Sequence, residues 1–188
     1  MIAIDDKETA VVTLATWANA LSALRALIAL PCAYSIWTGA WTTAGVLFAV
    51  AVATDVSDGI VARRRGEASA LGGLLDHSID AAFVTVNLAA LAVIGIVTPL
   101  LAPLAITSFA QYVWDSKALS GAPLRASVLG RWNGIGYYVI VGVPTVQHAL
   151  GVPWPSSALI ALAAWLMVVS TVISMGDRAY ALWRIRRG

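Results

Sequence analysis

Polar and apolar positions are segregated along the 188-residue chain. No Asp, Glu, Lys or Arg occurs from Ala26 to Thr54, from Ala81 to Trp114 or from Trp132 to Gly176, runs of 29, 34 and 45 residues. Each run holds turn-forming residues: Thr38-Gly39, Thr98-Pro99 and Gly151-Val152-Pro153-Trp154-Pro155. A hydrocarbon core of about 30 Å takes about 20 apolar residues per helix. Each run therefore reads as a helical hairpin, and the spans fall near 18–37, 41–63, 70–95, 99–119, 128–149 and 156–185. The last is longer than a bilayer needs, and at about 1.5 Å per residue its final turns project beyond it. Residues 5–16 are expected to form a short interfacial helix, with Asp5 or Asp6 as its N-cap. The predicted fold is all-α, a polytopic membrane protein with six transmembrane helices and one domain over 1–188.

Composition agrees. About 60% of residues are apolar and 12% charged, against about 25% charged in a soluble domain. A separate soluble domain is excluded, since so small a core could not bury this much apolar surface. The charges collect at the helix ends opposite the hairpin turns. Lys7, Arg63, Arg64, Arg65, Lys117, Arg125, Arg131, Arg184, Arg186 and Arg187 all fall there, which makes that side, and both termini, cytoplasmic by the positive-inside rule. Trp37, Trp41 and Trp154 mark the far interface; Trp17, Trp114, Trp132 and Trp183 mark the near one. A net charge of +2 indicates no nucleic-acid partner; the basic groups face anionic headgroups instead. The acidic Asp5, Asp6 and Glu8 argue against a cleavable signal peptide. A single cysteine, Cys32, excludes an intrachain disulfide or thiolate cluster.

Against this background four carboxylates stand out. Asp55, Asp58, Asp76 and Asp80 lie at the cytoplasmic ends of the second and third spans, where a carboxylate costs free energy, about 2.5–3.5 kcal/mol at a helix centre and less toward the interface. Asp55 and Asp58 are i and i+3; Asp76 and Asp80 are i and i+4, so each pair shares one helix face. A short loop from Arg64 to Glu67 joins the two helices. They are expected to pack antiparallel and to bring the pairs together as a ring. Four anions this close repel unless a cation joins them. Hard oxygen donors favour Mg²⁺, Mn²⁺ or Ca²⁺, and four carboxylates can hold two ions, a clamp suited to a diphosphate undergoing displacement. Gly59, Ala62 and Gly72 leave a slot beside the ring, and Arg63 is the first cation after it, placed to pair with a phosphate.

Written out, the segment is Asp55-x2-Asp58-Gly59-x2-Ala62-Arg63-x8-Gly72-x3-Asp76-x3-Asp80. It resembles the signature of the CDP-alcohol phosphatidyltransferases, with all eight specified positions present over 26 residues. In the first span Asn19-Ala20-Leu21-Ser22-x2-Arg25 is similar to the family's N-x-L-[ST]-x2-R, with Ala18 where a proline is common. The resemblance implies a phospholipid-synthesis enzyme that transfers the phosphatidyl group of CDP-diacylglycerol to an alcohol and releases CMP. It implies that Asp55, Asp58 and Asp76 bind one metal and Asp55, Asp76 and Asp80 the other, as Mg²⁺ or Mn²⁺. Asp80 would also be the general base. Asp58, Gly59, Ala62, Arg63 and Gly72 would hold the cytidine nucleotide. A homodimer in a bacterial or archaeal plasma membrane is the accompanying expectation.

The acceptor is read from the cytoplasmic cations Lys117, Arg125, Arg131 and Arg178. Ser127-Val128-Leu129-Gly130-Arg131 is loosely similar to a stretch in phosphatidylglycerophosphate synthases, which points to sn-glycerol 3-phosphate. Ala81, His77 and Trp132-Asn133 depart from that subfamily's pattern, so an inositol phosphate and serine stay open as acceptors. Two other classes compete. An intramembrane prenyltransferase would have different aspartate spacing. A divalent-cation transporter would need polar residues continuing across the bilayer, which the 45-residue uncharged run does not provide.

Overall fold

A computed structural model describes residues 17–65, 70–115 and 128–187. These residues form six helices: α1 (Trp17–Trp37), α2 (Trp41–Arg65), α3 (Ala70–Val93), α4 (Leu101–Asp115), α5 (Val128–Leu150) and α6 (Ser157–Arg187). Among the described residues the regular structure is all-helical, as the uncharged runs predict. The expected interfacial helix over 5–16 and the loop around Arg64–Glu67 lie wholly or partly outside the described residues.

The hairpin turns follow from local chemistry. α3 stops two residues short of the expected end because Gly95 adopts a left-handed backbone (φ 79°). Its N–H donates to the Ala92 carbonyl at 3.0 Å and that of Ile96 to Leu91 at 2.9 Å, which closes the last turn. Gly39 and Gly151 close α1 and α5 by the same paired bonds. Thr98-Pro99 lies in the turn before α4, as expected: the Thr98 hydroxyl accepts from the Leu100 N–H at 3.5 Å and its carbonyl from the Leu101 N–H at 3.3 Å.

Three helices are long and apolar enough to cross a membrane, over Ala20–Trp37, Gly72–Val93 and Ser157–Ala181, and α2 adds a shorter apolar segment, Trp41–Ser57. α4 is described over only 15 residues. α5 carries Arg131, Asn133, Gln147 and His148 among its apolar positions.

On α1 and α6 packing is the reverse of that in a water-soluble bundle. On α1 the buried positions include Ser22, Arg25, Ala29, Cys32 and Ile36, spaced three and four apart, with Ser35 beside them. Leu27, Leu30 and Tyr34 point outward on the same helix. On α6 Ile160, Ala164, Val168, Thr171 and Ser174 face in, while Leu162, Leu166, Val169 and Val172 face out. On these two helices mostly small and polar residues face inward and large apolar ones face outward, as expected where lipid is the solvent. At Gly142 a Cβ would sit 2.6 Å from the Phe48 ring, so only glycine lets α5 approach α2 there. Among the expected interface tryptophans, Trp37, Trp114, Trp132, Trp154 and Trp183 are exposed; Trp41 instead turns in and stacks on His148 with ring centroids 4.2 Å apart.

One feature of the packing departs from the expectation of a direct α2–α3 pair. Among the described residues both helices pack on α1 and α5, and α3 also on α4. The helix between them in effect is α1, and it brings its own side chains to the aspartates.

Candidate active site

Ser22 and Arg25 lie one turn apart on the buried face of α1, with Arg25 fully enclosed. A charge that deep needs partners, and three carboxylates supply them. Arg25 Nη1 donates to Asp76 Oδ1 at 3.0 Å, lies 3.3 Å from Asp55 Oδ1 and also donates to Asp80 Oδ1. Ser22 Oγ donates to Asp76 Oδ1 at 3.0 Å. From α5 the Tyr138 hydroxyl donates to Asp80 Oδ1 at 2.8 Å. The Tyr138 ring is held by a stacked contact with Phe83, centroids 6.1 Å apart at 13°, and by Phe48 at 6.4 Å. Asp55, Asp76 and Asp80 each place an oxygen within 4.8 Å of the others.

Three of the four expected carboxylates are thus brought together. Asp58 stands on α2 one turn after Asp55, and Gly59, Ala62 and Arg63 follow on the same helix; the side chains of this segment lie outside those described. Gly72 is half-buried on α3 one turn before Asp76. Lys117 and Arg125 lie outside the described residues. Arg131 sits in the first turn of α5 with its side chain exposed. Arg178 turns inward: its guanidinium donates to the Ser108 carbonyl at 3.3 Å and lies 5.2 Å from the Tyr112 ring centroid. His77 is exposed, and its Nδ1 is 2.9 Å from the Gly73 carbonyl of its own helix.

Sequence reasoning did not assign Ser22, Arg25 or Tyr138 to the site. A signal existed for the first two, since they occupy the polar positions of the Asn19-to-Arg25 motif. Tyr138 had none: it is the second of two adjacent tyrosines in an uncharged run, and only the rotation of α5 points it at Asp80.

The donor set fits a divalent cation. One cation, Arg25, faces three acidic side chains. Arg25, Ser22 and Tyr138 all engage Oδ1 atoms, so each aspartate keeps a second oxygen for a metal. All-oxygen donors of this kind suit Mg²⁺, Mn²⁺ or Ca²⁺.

The profile of one protein family, CDP-alcohol phosphatidyltransferase, matches residues 15–176. That segment contains Ser22, Arg25 and all four aspartates of the signature. This chain belongs to the CDP-alcohol phosphatidyltransferase family. It is therefore an enzyme of phosphotransfer in phospholipid biosynthesis, acting on CDP-alcohol substrates in a lipid environment, and the family uses divalent metals. No curated protein matches the chain, and no solved structure matches it.

Proposed function

We propose that this CDP-alcohol phosphatidyltransferase transfers the phosphatidyl group of CDP-diacylglycerol to a small phosphorylated alcohol, with sn-glycerol 3-phosphate the leading acceptor, and releases CMP. The observation that carries the reading is the convergence of Asp55, Asp76 and Asp80 within 4.8 Å of one another in the family's signature spacing. The reading takes residues 1–188 as one domain with six spans, the site and both termini in the cytoplasm, and two chains per assembly.

Asp55, Asp58, Asp76 and Asp80 would hold two divalent ions, Mg²⁺ or Mn²⁺. When bound, such ions neutralise the diphosphate and the leaving CMP. Gly59, Ala62 and Gly72 would leave room for the cytidine nucleotide, with Asp58 and Arg63 at its edge. Asp80 is the general base. Its Oδ1 already accepts from Arg25 and Tyr138, so Oδ2 is the oxygen free to take the acceptor hydroxyl proton. The alcohol oxygen then bonds to the phosphatidyl phosphorus as the bond to the CMP oxygen breaks. Arg25 and Tyr138 fix the orientation of Asp80 without touching substrate. Lys117, Arg125 and Arg131 are the acceptor's phosphate partners in this reading, and Arg178 reaches the same side from α6.

Release of CMP from CDP-diacylglycerol, measured with sn-glycerol 3-phosphate, an inositol phosphate and serine in turn, tests the donor and the acceptor together. Chelation should abolish release and Mg²⁺ or Mn²⁺ restore it; full turnover in metal-free buffer refutes the metal-dependent reading. Arg131→Ala should raise the acceptor KM well above any change in donor KM, since a charge-assisted contact would be lost only to the acceptor.

A further inference from the structure

The guanidinium of Arg25 meets all three aspartates through a single nitrogen. Nη1 donates to Asp76 Oδ1 at 3.0 Å and to Asp80 Oδ1, and Asp55 Oδ1 lies 3.3 Å away. An Nη atom carries two hydrogens, fewer than the three oxygens gathered here. The oxygens surround the nitrogen as they would an ion. We propose that Arg25 is a resident cation of the metal site: it stays on the Oδ1 atoms when a divalent ion binds, and it holds down the site's affinity for that ion. This role rests on the metal reading above.

Burial decides that Arg25 stays. Its side chain is fully enclosed, whereas those of Asp55, Asp76 and Asp80 are 38%, 25% and 22% exposed. The guanidinium therefore lies on the closed side of the carboxyl groups, and an ion reaches them from the open side. Retreat along its own helix is closed. The next positions on that face of α1, Ala29, Cys32 and Ile36, belong to the apolar core, and a guanidinium drawn off its partners there would be a buried, unpaired charge. Ser22 and Tyr138 donate to the same Oδ1 atoms of Asp76 and Asp80, so the Oδ1 side is committed to protein donors. What remains for an ion is Oδ2, one oxygen from each of these three aspartates. An octahedral ion such as Mg²⁺ is left short of ligands by that set and must draw the others from water or from the donor's diphosphate. The charge of Arg25 beside it repels the ion as well. The ion's hold then depends on the diphosphate, which is split at each turnover.

Binding of Mn²⁺ to the full chain in lipid nanodiscs, read from the electron paramagnetic resonance of the free ion, tests this without turnover. Arg25→Met and Arg25→Gln remove the charge, and each should bind Mn²⁺ at least about tenfold more tightly, because a unit charge beside the ion is gone. Tyr138→Phe and Ser22→Ala remove neutral donors from the same Oδ1 atoms, and they should stay within about threefold of the unaltered protein, since no charge changes. Unchanged or weaker binding by the Arg25 variants overturns the proposal, because Arg25 would then serve only to assemble the carboxyl groups. Equal tightening by the neutral-donor variants overturns it too, by removing charge as the cause. A structure of the unaltered protein with Mn²⁺, located by anomalous scattering, needs no variant to fold. Nη1 should still contact the Oδ1 atoms of Asp76 and Asp80, with the ion on Oδ2 atoms. An ion seated on the Oδ1 atoms with Nη1 withdrawn overturns the resident role. If the unaltered protein binds no Mn²⁺ at all, the metal reading itself fails and the proposal falls with it.

Discussion

Two polar clusters are buried between these helices, and they are built on opposite principles. Around α1, three carboxyl groups from α2 and α3 converge on Arg25, so acidic groups outnumber the cation that binds them. Between α4, α5 and α6 the bonds join mostly neutral groups. Ser170 Oγ donates to Asn133 Oδ1 at 2.6 Å, the Tyr137 and Thr171 hydroxyls are 2.6 Å apart, and Gln111 Nε2 donates to the Met175 carbonyl at 3.0 Å. The cation there, Arg178, meets a backbone carbonyl and an aromatic face. Neutral side-chain bonds across helices serve as glue in lipid. A cluster with surplus like charge works against its own assembly and is retained only if something else needs the charge. That difference separates a site from a seam.

The largest break in the comparison should come from Asp80. Asp80→Asn keeps the size and removes the proposed base, and kcat should fall by about 10²–10⁴, the usual contribution of a positioned base. Binding of CDP-lipid at saturating Mg²⁺ should persist, whereas Asp76→Asn should weaken metal and nucleotide binding together. Near wild-type kcat for Asp80→Asn would show that the proton leaves by another route.

Arg25→Met comes next. Removing one partner of a buried charge pair costs about 3–5 kcal/mol, here by leaving Asp55, Asp76 and Asp80 facing one another. The unfolding midpoint in detergent should drop sharply in chelator and recover in large part with Mg²⁺ or Mn²⁺, because a metal replaces the missing cation. An equal drop with and without metal would make Arg25 a packing residue only.

Tyr138→Phe sharpens the point on the α5 side. It removes a hydrogen bond to a charged group, worth about 1.5–3 kcal/mol, but keeps the ring contacts with Phe83 and Phe48. If Tyr138 positions Asp80, kcat should fall about tenfold or more with the donor KM nearly constant. A change in thermal midpoint without a change in kcat would assign the bond to stability alone.

The smallest effect belongs to the seam. Ser170→Ala should cost about 1 kcal/mol of stability, the ordinary net value of one neutral hydrogen bond, with no change in turnover. A loss of activity there would erase the distinction between the clusters.

Much of this was legible in the residues. The three uncharged runs announced the helical hairpins because charge is excluded wherever a segment must sit in lipid, and the described helices begin within two residues of the expected starts. The spacing of the aspartates announced shared faces on α2 and α3, since helical periodicity alone sets which residues align. The boundary was the less legible part: Thr98-Pro99 lies in the α3–α4 turn as its residue types indicate, but Gly95 ends α3 two residues early.

The sequence by itself thus determined the helices, their polarity and the identity of the acidic residues, all consequences of local geometry and of the solvent each residue tolerates. Tertiary structure alone decided that α1 packs on both aspartate-bearing helices, that Arg25 is the cation among the carboxylates, and that Tyr138 rather than Tyr137 reaches Asp80. Tyr137 instead bonds Thr171 across the α5–α6 seam. Those facts depend on the rotation and crossing of helices far apart in the chain. Rotation is set by how side chains such as Phe48 fit against glycines such as Gly142, a matching of surfaces that no spacing within one segment records.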